Sequence, residues 1–142
     1  MTMFADQSRD ALRATWREAW RKRRAGLPLQ PLELQIADVI AAHPEYHPLL
    51  QLDAGALAEA GAVDGAQNPF LHLGLHLALR EQLATDRPPG IAAIQSRLAS
   101  RLASSHAAEH RMIEVLAQVL WEAQRAGRPA DDALYLERLR RL

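Results

Sequence analysis

The sequence predicts an all-α protein, folded as a single domain of about five helices, and three observations carry that expectation. Strand signals are nearly absent, with aromatic residues at 5% of the chain and no β-branched runs. Apolar residues recur instead at the spacing of helix faces. Capping residues and prolines precede these stripes, and glycines follow them. The length of 142 residues suits one core of ordinary size.

The first helix is expected from about Ser8 to Arg24, capped by Asp6 or Ser8 and ended by Gly26 and Pro28. Leu12, Trp16, Ala19 and Trp20 form its apolar stripe, and Arg9, Arg13, Arg17 and Arg21 run beside it at i, i+4. A second helix starts at Pro31, a favoured first helical position, with Leu32, Ile36, Val39 and Ile40 on one face. It should stop at His43, because Pro44 disfavours helical backbone in the residue before it. A short turn from Pro44 to about Gln51 follows. Asp53 to Gln67 reads as a surface loop with a turn near Ala56 to Ala60.

Asn68-Pro69 then caps and opens a third helix reaching about Thr85. Its leucines at 71, 73, 75, 77 and 79 alternate as in a strand, but its length and its Asn-Pro start favour helix. It is apolar nearly all round and so expected to be central. Asp86-Arg87-Pro88-Pro89-Gly90 is a turn whose backbone N–H groups could hold an anion. A helix from Ile91 to about Ala103 presents Ile91, Ile94, Leu98 and Leu102. The next is capped by Ser104 or Ser105 and reaches Ala126, with Met112, Ile113, Leu116, Leu120 and Ala123 facing inward. Asp131 caps a last helix ending at Leu142, and Trp121 and Tyr135 read as packing residues.

Composition narrows the chemistry. Without cysteine there is no disulfide, thiolate metal site or cysteine nucleophile. A net charge of zero argues against a nucleic-acid coat protein. No apolar run of membrane-spanning length occurs, and Met1 to Gln7 lacks a secretory pattern, so a cytoplasmic bacterial-style protein is expected. No Rossmann, Walker or nucleophile-elbow fingerprint is present, so no nucleotide or organic cofactor is expected.

All six histidines fall into three pairs at i, i+4: His43/His47, His72/His76 and His106/His110. Random placement would give roughly 0.2 such pairs, whereas this spacing sets two side chains on one helix face. Two imidazoles one turn apart can converge on one ion. His43 continues the Ile36/Val39 stripe, and His72 and His76 are expected to be buried. Glu109 points into the middle of its helix's core face, with His106 and His110 at the edge; Glu114 points away. A carboxylate aimed at a core costs several kcal/mol unless it is paired, protonated or metal-bound. Glu109 therefore needs a partner: a metal shared with the histidines, Arg80 one turn after His76, or an imidazolium.

The metal-ligand set expected is His72, His76, His106, Glu109, His110 and His43, holding Zn, Fe or Mn (or Ni) rather than Cu(I). Glu109 could also serve as a general base beside an open metal position. Buried histidines bonded to backbone carbonyls, with a Glu109–Arg80 ion pair, would account for the same pattern without an ion. Pro44 and Pro48 break regular helix, so His43 and His47 read more simply as a capped turn. His106-Ala107-Ala108-Glu109-His110 matches the inverted zincin pattern, but no sheet edge is expected to bind a peptide.

Neutrality hides an uneven distribution. Arg9 to Arg24 holds seven cations and two acids, a local +5 that the rest of the chain offsets. Arg13, Arg17 and Arg21, with Trp16 and Trp20, could bind an acidic protein partner, the alternative to a metal-based function. The plainer expectation is a helix docked through its tryptophans with a solvated basic face.

Several segments together resemble a bacterial family of short proteins, domain of unknown function 1841. They are Gln7-Ser8-Arg9-Asp10, His43-Pro44-Glu45-Tyr46-His47 and Asn68-Pro69-Phe70-Leu71-His72-Leu73-Gly74-Leu75-His76. Asp86-Arg87-Pro88, His106-Ala107-Ala108-Glu109-His110-Arg111-Met112 and Trp121-Glu122-Ala123-Gln124-Arg125 extend the likeness over nearly the whole chain. The resemblance implies no activity.

Overall fold

The computed structural model describes residues 2–51 and 69–142, apart from the side chains of residues 2–10 and 12. The stripe positions Leu12 and Arg9, the Asp53–Gln67 loop and the Asn68 cap lie outside that description. Asp6 and Ser8, expected to cap the first helix, lie inside that helix instead, because it already begins at Thr2. The described residues are helical, with no strand among them. They form two compact units, Met1–Leu73 and Gly74–Leu142, and one continuous helix, Pro69–Thr85, crosses the boundary.

In the first unit, α1 (Thr2–Ala25) begins six residues before the expected start at Ser8 and ends at Gly26, whose φ of 70° suits glycine. Trp16, Ala19 and Trp20 are buried, as are Ile36, Ala37, Val39 and Ile40 of α2 (Pro31–Ala41). Leu32, expected on that core face, is 56% exposed. It sits in the first turn of α2, where the last turn of α1 brings a charge rather than an apolar group: Lys22 binds Glu33 at 2.8 Å. The His-Pro region forms two short 3₁₀ turns, Pro44–Tyr46 and Leu49–Gln51, with Leu50 buried.

The crossing helix α3 (Pro69–Thr85) has the expected bounds, so length and the proline start outweigh the strand-like alternation. It is not buried all round: Leu71, in its first turn, is 53% exposed. In the second unit it is followed by α4 (Ile91–Leu102), α5 (Ser105–Ala126) and α6 (Asp132–Arg140). Leu79, Ile91, Ile94, Leu98, Met112, Leu116, Tyr135 and Leu139 form one core. Ser104 and Asp131 cap α5 and α6 as expected, accepting hydrogen bonds from Ala107 N–H and from Ala133 and Leu134 N–H.

Three expectations fail here for identifiable reasons. The N–H groups of the 86–90 turn do not await an external anion, because the Asp86 carboxylate accepts from Gly90 and Ala92 N–H itself. Leu120, on the inward line of α5, is 43% exposed, and Trp121 beside it is 53% exposed rather than packed. α5 has 22 residues and α4, packed on it through a tight hairpin, only 12, so Leu120 lies in turns of α5 that extend past that cover, while Trp121, seven residues from the exposed Glu114, lies on the side of α5 away from the buried Met112, Leu116 and Val119. Tyr135 is packed as expected, and its hydroxyl donates to Gln82 Oε1 at 2.7 Å.

Candidate metal centre

In the first unit, His43 follows directly on α2 and is fully buried. Its Nδ1 lies 2.7 Å from the Val39 carbonyl, one helical turn back. A carbonyl only accepts, so Nδ1 carries the proton and the lone pair of the neutral ring is on Nε2. That nitrogen is 3.1 Å from Nε2 of His72. A direct contact of this kind requires His72 Nε2 to donate. The spacing is also close to the ~3.3 Å that separates two nitrogens bound ~2.0–2.1 Å from a tetrahedral zinc. Tyr46 covers the pair, stacked on His43 with centroids 5.6 Å apart and edge-on to His72 at 6.1 Å. Burial, with the charge of Glu45, raises the Tyr46 phenol above its ordinary value and keeps it neutral.

His47 is turned to a different task. Its Nε2 donates to the Ile40 carbonyl at 2.8 Å, and its ring lies 4.4 Å from the Trp20 ring. The prolines at 44 and 48 break the helix, so the i, i+4 spacing of His43 and His47 gives no shared face, and His43 meets His72 instead.

In the second unit, His76 is fully buried and Glu109 is 7% exposed. His76 Nε2 is 2.9 Å from Glu109 Oε1. The carboxylate accepts, so Nε2 carries the proton and Nδ1 the lone pair. Arg80 Nε donates to the same oxygen at 3.1 Å, while Ser105 Oγ donates to Oε2 at 3.2 Å and accepts from Gln95 Nε2 at 2.8 Å. Burial pushes the Glu109 carboxyl up, but the hydrogen bonds from His76 and Arg80 and the Arg80 charge outweigh it and bring it down to about 2. It is therefore a stable anion and a weak base. His106 and His110 stand one turn apart with ring centroids 4.0 Å apart, and His76 lies 5.7 Å and 5.5 Å from them.

The structure thus engages the expected residues unevenly. His43 joins His72, and His76 joins His106, His110 and Glu109. His72 is half-buried rather than enclosed. Arg80, foreseen as a partner for Glu109, holds it, and so does the His76 ring, where an imidazolium was expected. Tyr46, Ser105 and Gln95 were not foreseen. Ser105 lies at i−4 to Glu109, a signal that the sequence does contain, whereas Tyr46 and Gln95 depend on tertiary packing. Among the described residues, His43 and His72 in the first unit and His76 and His110 in the second are candidate metal ligands.

The basic helix does not offer its tryptophans to a partner. Trp16 and Trp20 are 4% and 8% exposed, Arg21 is bonded to Glu18, and Arg13 lies 5.3 Å over the Phe70 ring. Among the described residues, no helix is long and apolar enough to cross a membrane.

A family model described as Domain of unknown function (DUF1841) matches residues 8–141. No curated protein and no solved structure matches the chain.

Proposed function

The chain belongs to the DUF1841 family, and we propose that it binds a divalent transition-metal ion through imidazoles. The ligands are His43 and His72 through Nε2, His76 through Nδ1, and His110. The carrying observation is how two of these rings are held: His43 Nδ1 donates to a backbone carbonyl and His76 Nε2 to a carboxylate. Metal-binding histidines characteristically donate their second N–H in this way, which fixes the tautomer and aims the lone pair. His72 and His76 sit one turn apart on α3, so one helix carries both halves of the set. On this reading residues 1–142 act as one functional domain.

Glu109 then acts behind the ligands, orienting His76, rather than as a ligand or general base. Its low-lying carboxyl and its bonds to Arg80 and Ser105 suit that role. His106 packs against His110 and steadies its ring. An all-imidazole set suits Zn, Fe or Mn. Four imidazoles would close a tetrahedral zinc site, as a sensor or structural site needs, and would leave a six-coordinate Fe or Mn ion two positions for chemistry.

The test is metal analysis of the untagged, purified chain. Near-stoichiometric Zn, Fe or Mn, lost in His76→Ala and His110→Ala, supports the reading. A metal-free protein whose melting temperature is unchanged by each of these ions overturns it.

A further inference from the structure

Helix α5 carries a second feature, at the far end from Glu109. Trp121 and Leu120 are 53% and 43% exposed in its last turns. Exposed tryptophan is uncommon away from interfaces, which are enriched in Trp and Arg. Here the guanidinium of Arg125 lies 4.9 Å over the Trp121 ring. Glu114, Trp121 and Arg125 share one stripe, because seven and eleven residues are close to whole numbers of helical turns. Ala117 and Gln118 lie between Glu114 and Trp121 along the helix. Among the described residues, neither Glu114 nor Arg125 has an ion-pair partner in the salt bridges of the structure.

The stripe is self-complementary. It is negative at Glu114, uncharged across Ala117, Gln118 and Trp121, and positive at Arg125, with the two charges about three turns, or ~16 Å, apart along the axis. Two copies of α5 laid antiparallel about a twofold axis between Val119 and Leu120 place Glu114 of each opposite Arg125 of the other. Each Trp121 then faces Gln118 of the other copy and overhangs its Ala117. A twofold contact of this kind uses one patch twice, so it needs both charges on one surface. A foreign partner would need only one of them.

We propose that this face of α5 pairs two copies of the chain in an antiparallel homodimer centred on Trp121. The Glu114–Arg125 ion pairs set the register, and burial of Trp121 supplies most of the affinity.

Sedimentation equilibrium of the full chain tests this with charge-swapped variants. The wild type is expected to be dimeric at micromolar concentration. Trp121→Glu should abolish dimerisation while leaving the helical circular dichroism unchanged. Glu114→Arg and Arg125→Glu should each weaken the dimer about tenfold, since each removes two symmetric pairs and sets like charges opposite one another. The double variant should restore affinity to near the wild-type value, because the swap rebuilds both pairs. A monomeric wild type, or a dimer insensitive to Trp121→Glu, overturns the proposal. Single variants that weaken the dimer without rescue in the double variant overturn the antiparallel register.

Discussion

His43 and His76 are both fully buried imidazoles, and the two units fix them by opposite means. In the first unit a backbone carbonyl, Val39, holds His43 Nδ1 and presents Nε2. In the second a carboxylate, Glu109, holds His76 Nε2 and presents Nδ1. A carbonyl is neutral, comes with the helix and cannot be mutated away. A buried carboxylate has to be kept charged by further groups, and Arg80 and Ser105 do so. The first arrangement is built into the chain's local geometry. The second depends on four side chains from three helices, counting Gln95 behind Ser105, and so offers more ways to break it.

The largest expected effects come from the imidazoles themselves. His43→Ala and His76→Ala should each lower metal affinity by more than the roughly 10–100-fold expected for a group behind a ligand, measured by competition with a chromophoric chelator. Equal losses in the two variants would mean that both anchoring modes serve one ion. Glu109→Gln comes next, with affinity about 10–100-fold lower. The same variant should cost about 2 kcal/mol of stability in urea unfolding of the metal-free protein, because Arg80 loses its anion and His76 its charged acceptor. Ser105→Ala, which removes one donor at the rim of this network, should cost only about 1 kcal/mol.

The sequence showed these groups before it showed their partners. Helical spacing puts His106, Glu109 and His110 on adjoining parts of one face, and the structure keeps them there. It also narrowed the partners of Glu109 to a short set that includes the two observed. It could not show that His43 meets His72, 29 residues away, because periodicity describes one helix at a time. Leu32 and Leu120 show the same limit from the apolar side. Each lies on an inward stripe, and each is exposed because its neighbour is charged or too short at that level. A stripe gives direction, whereas burial depends on what the adjoining helix supplies.

The two modes of anchoring also differ in their response to acid. The Glu109 carboxyl lies at about 2 in the folded protein, below the usual carboxylate value near 4.5. The folded state therefore binds fewer protons than the unfolded state between those values. The stabilisation from Glu109 is complete above about pH 4.5 and fades as pH falls toward 2. Urea midpoints of the metal-free wild type and Glu109→Gln should differ most at neutral pH, draw together below about pH 4.5 and converge as pH approaches 2. A gap of constant width across that range would mean that Glu109 does not depend on its charge.

His47 provides the smallest effect on metal and the cleanest control. It pairs with His43 by spacing, yet its Nε2 is committed to the Ile40 carbonyl and its ring to Trp20. His47→Phe retains a ring against the indole and removes the hydrogen bond. Metal affinity should then stay within about twofold of wild type, while stability falls by about 1 kcal/mol through loss of the acceptor's partner. A large loss of affinity in this variant would mean that the His-Pro-Glu-Tyr-His turn acts on the ion as a unit. Unchanged affinity would confine its contribution to His43, the histidine of that turn whose Nε2 is aimed at His72.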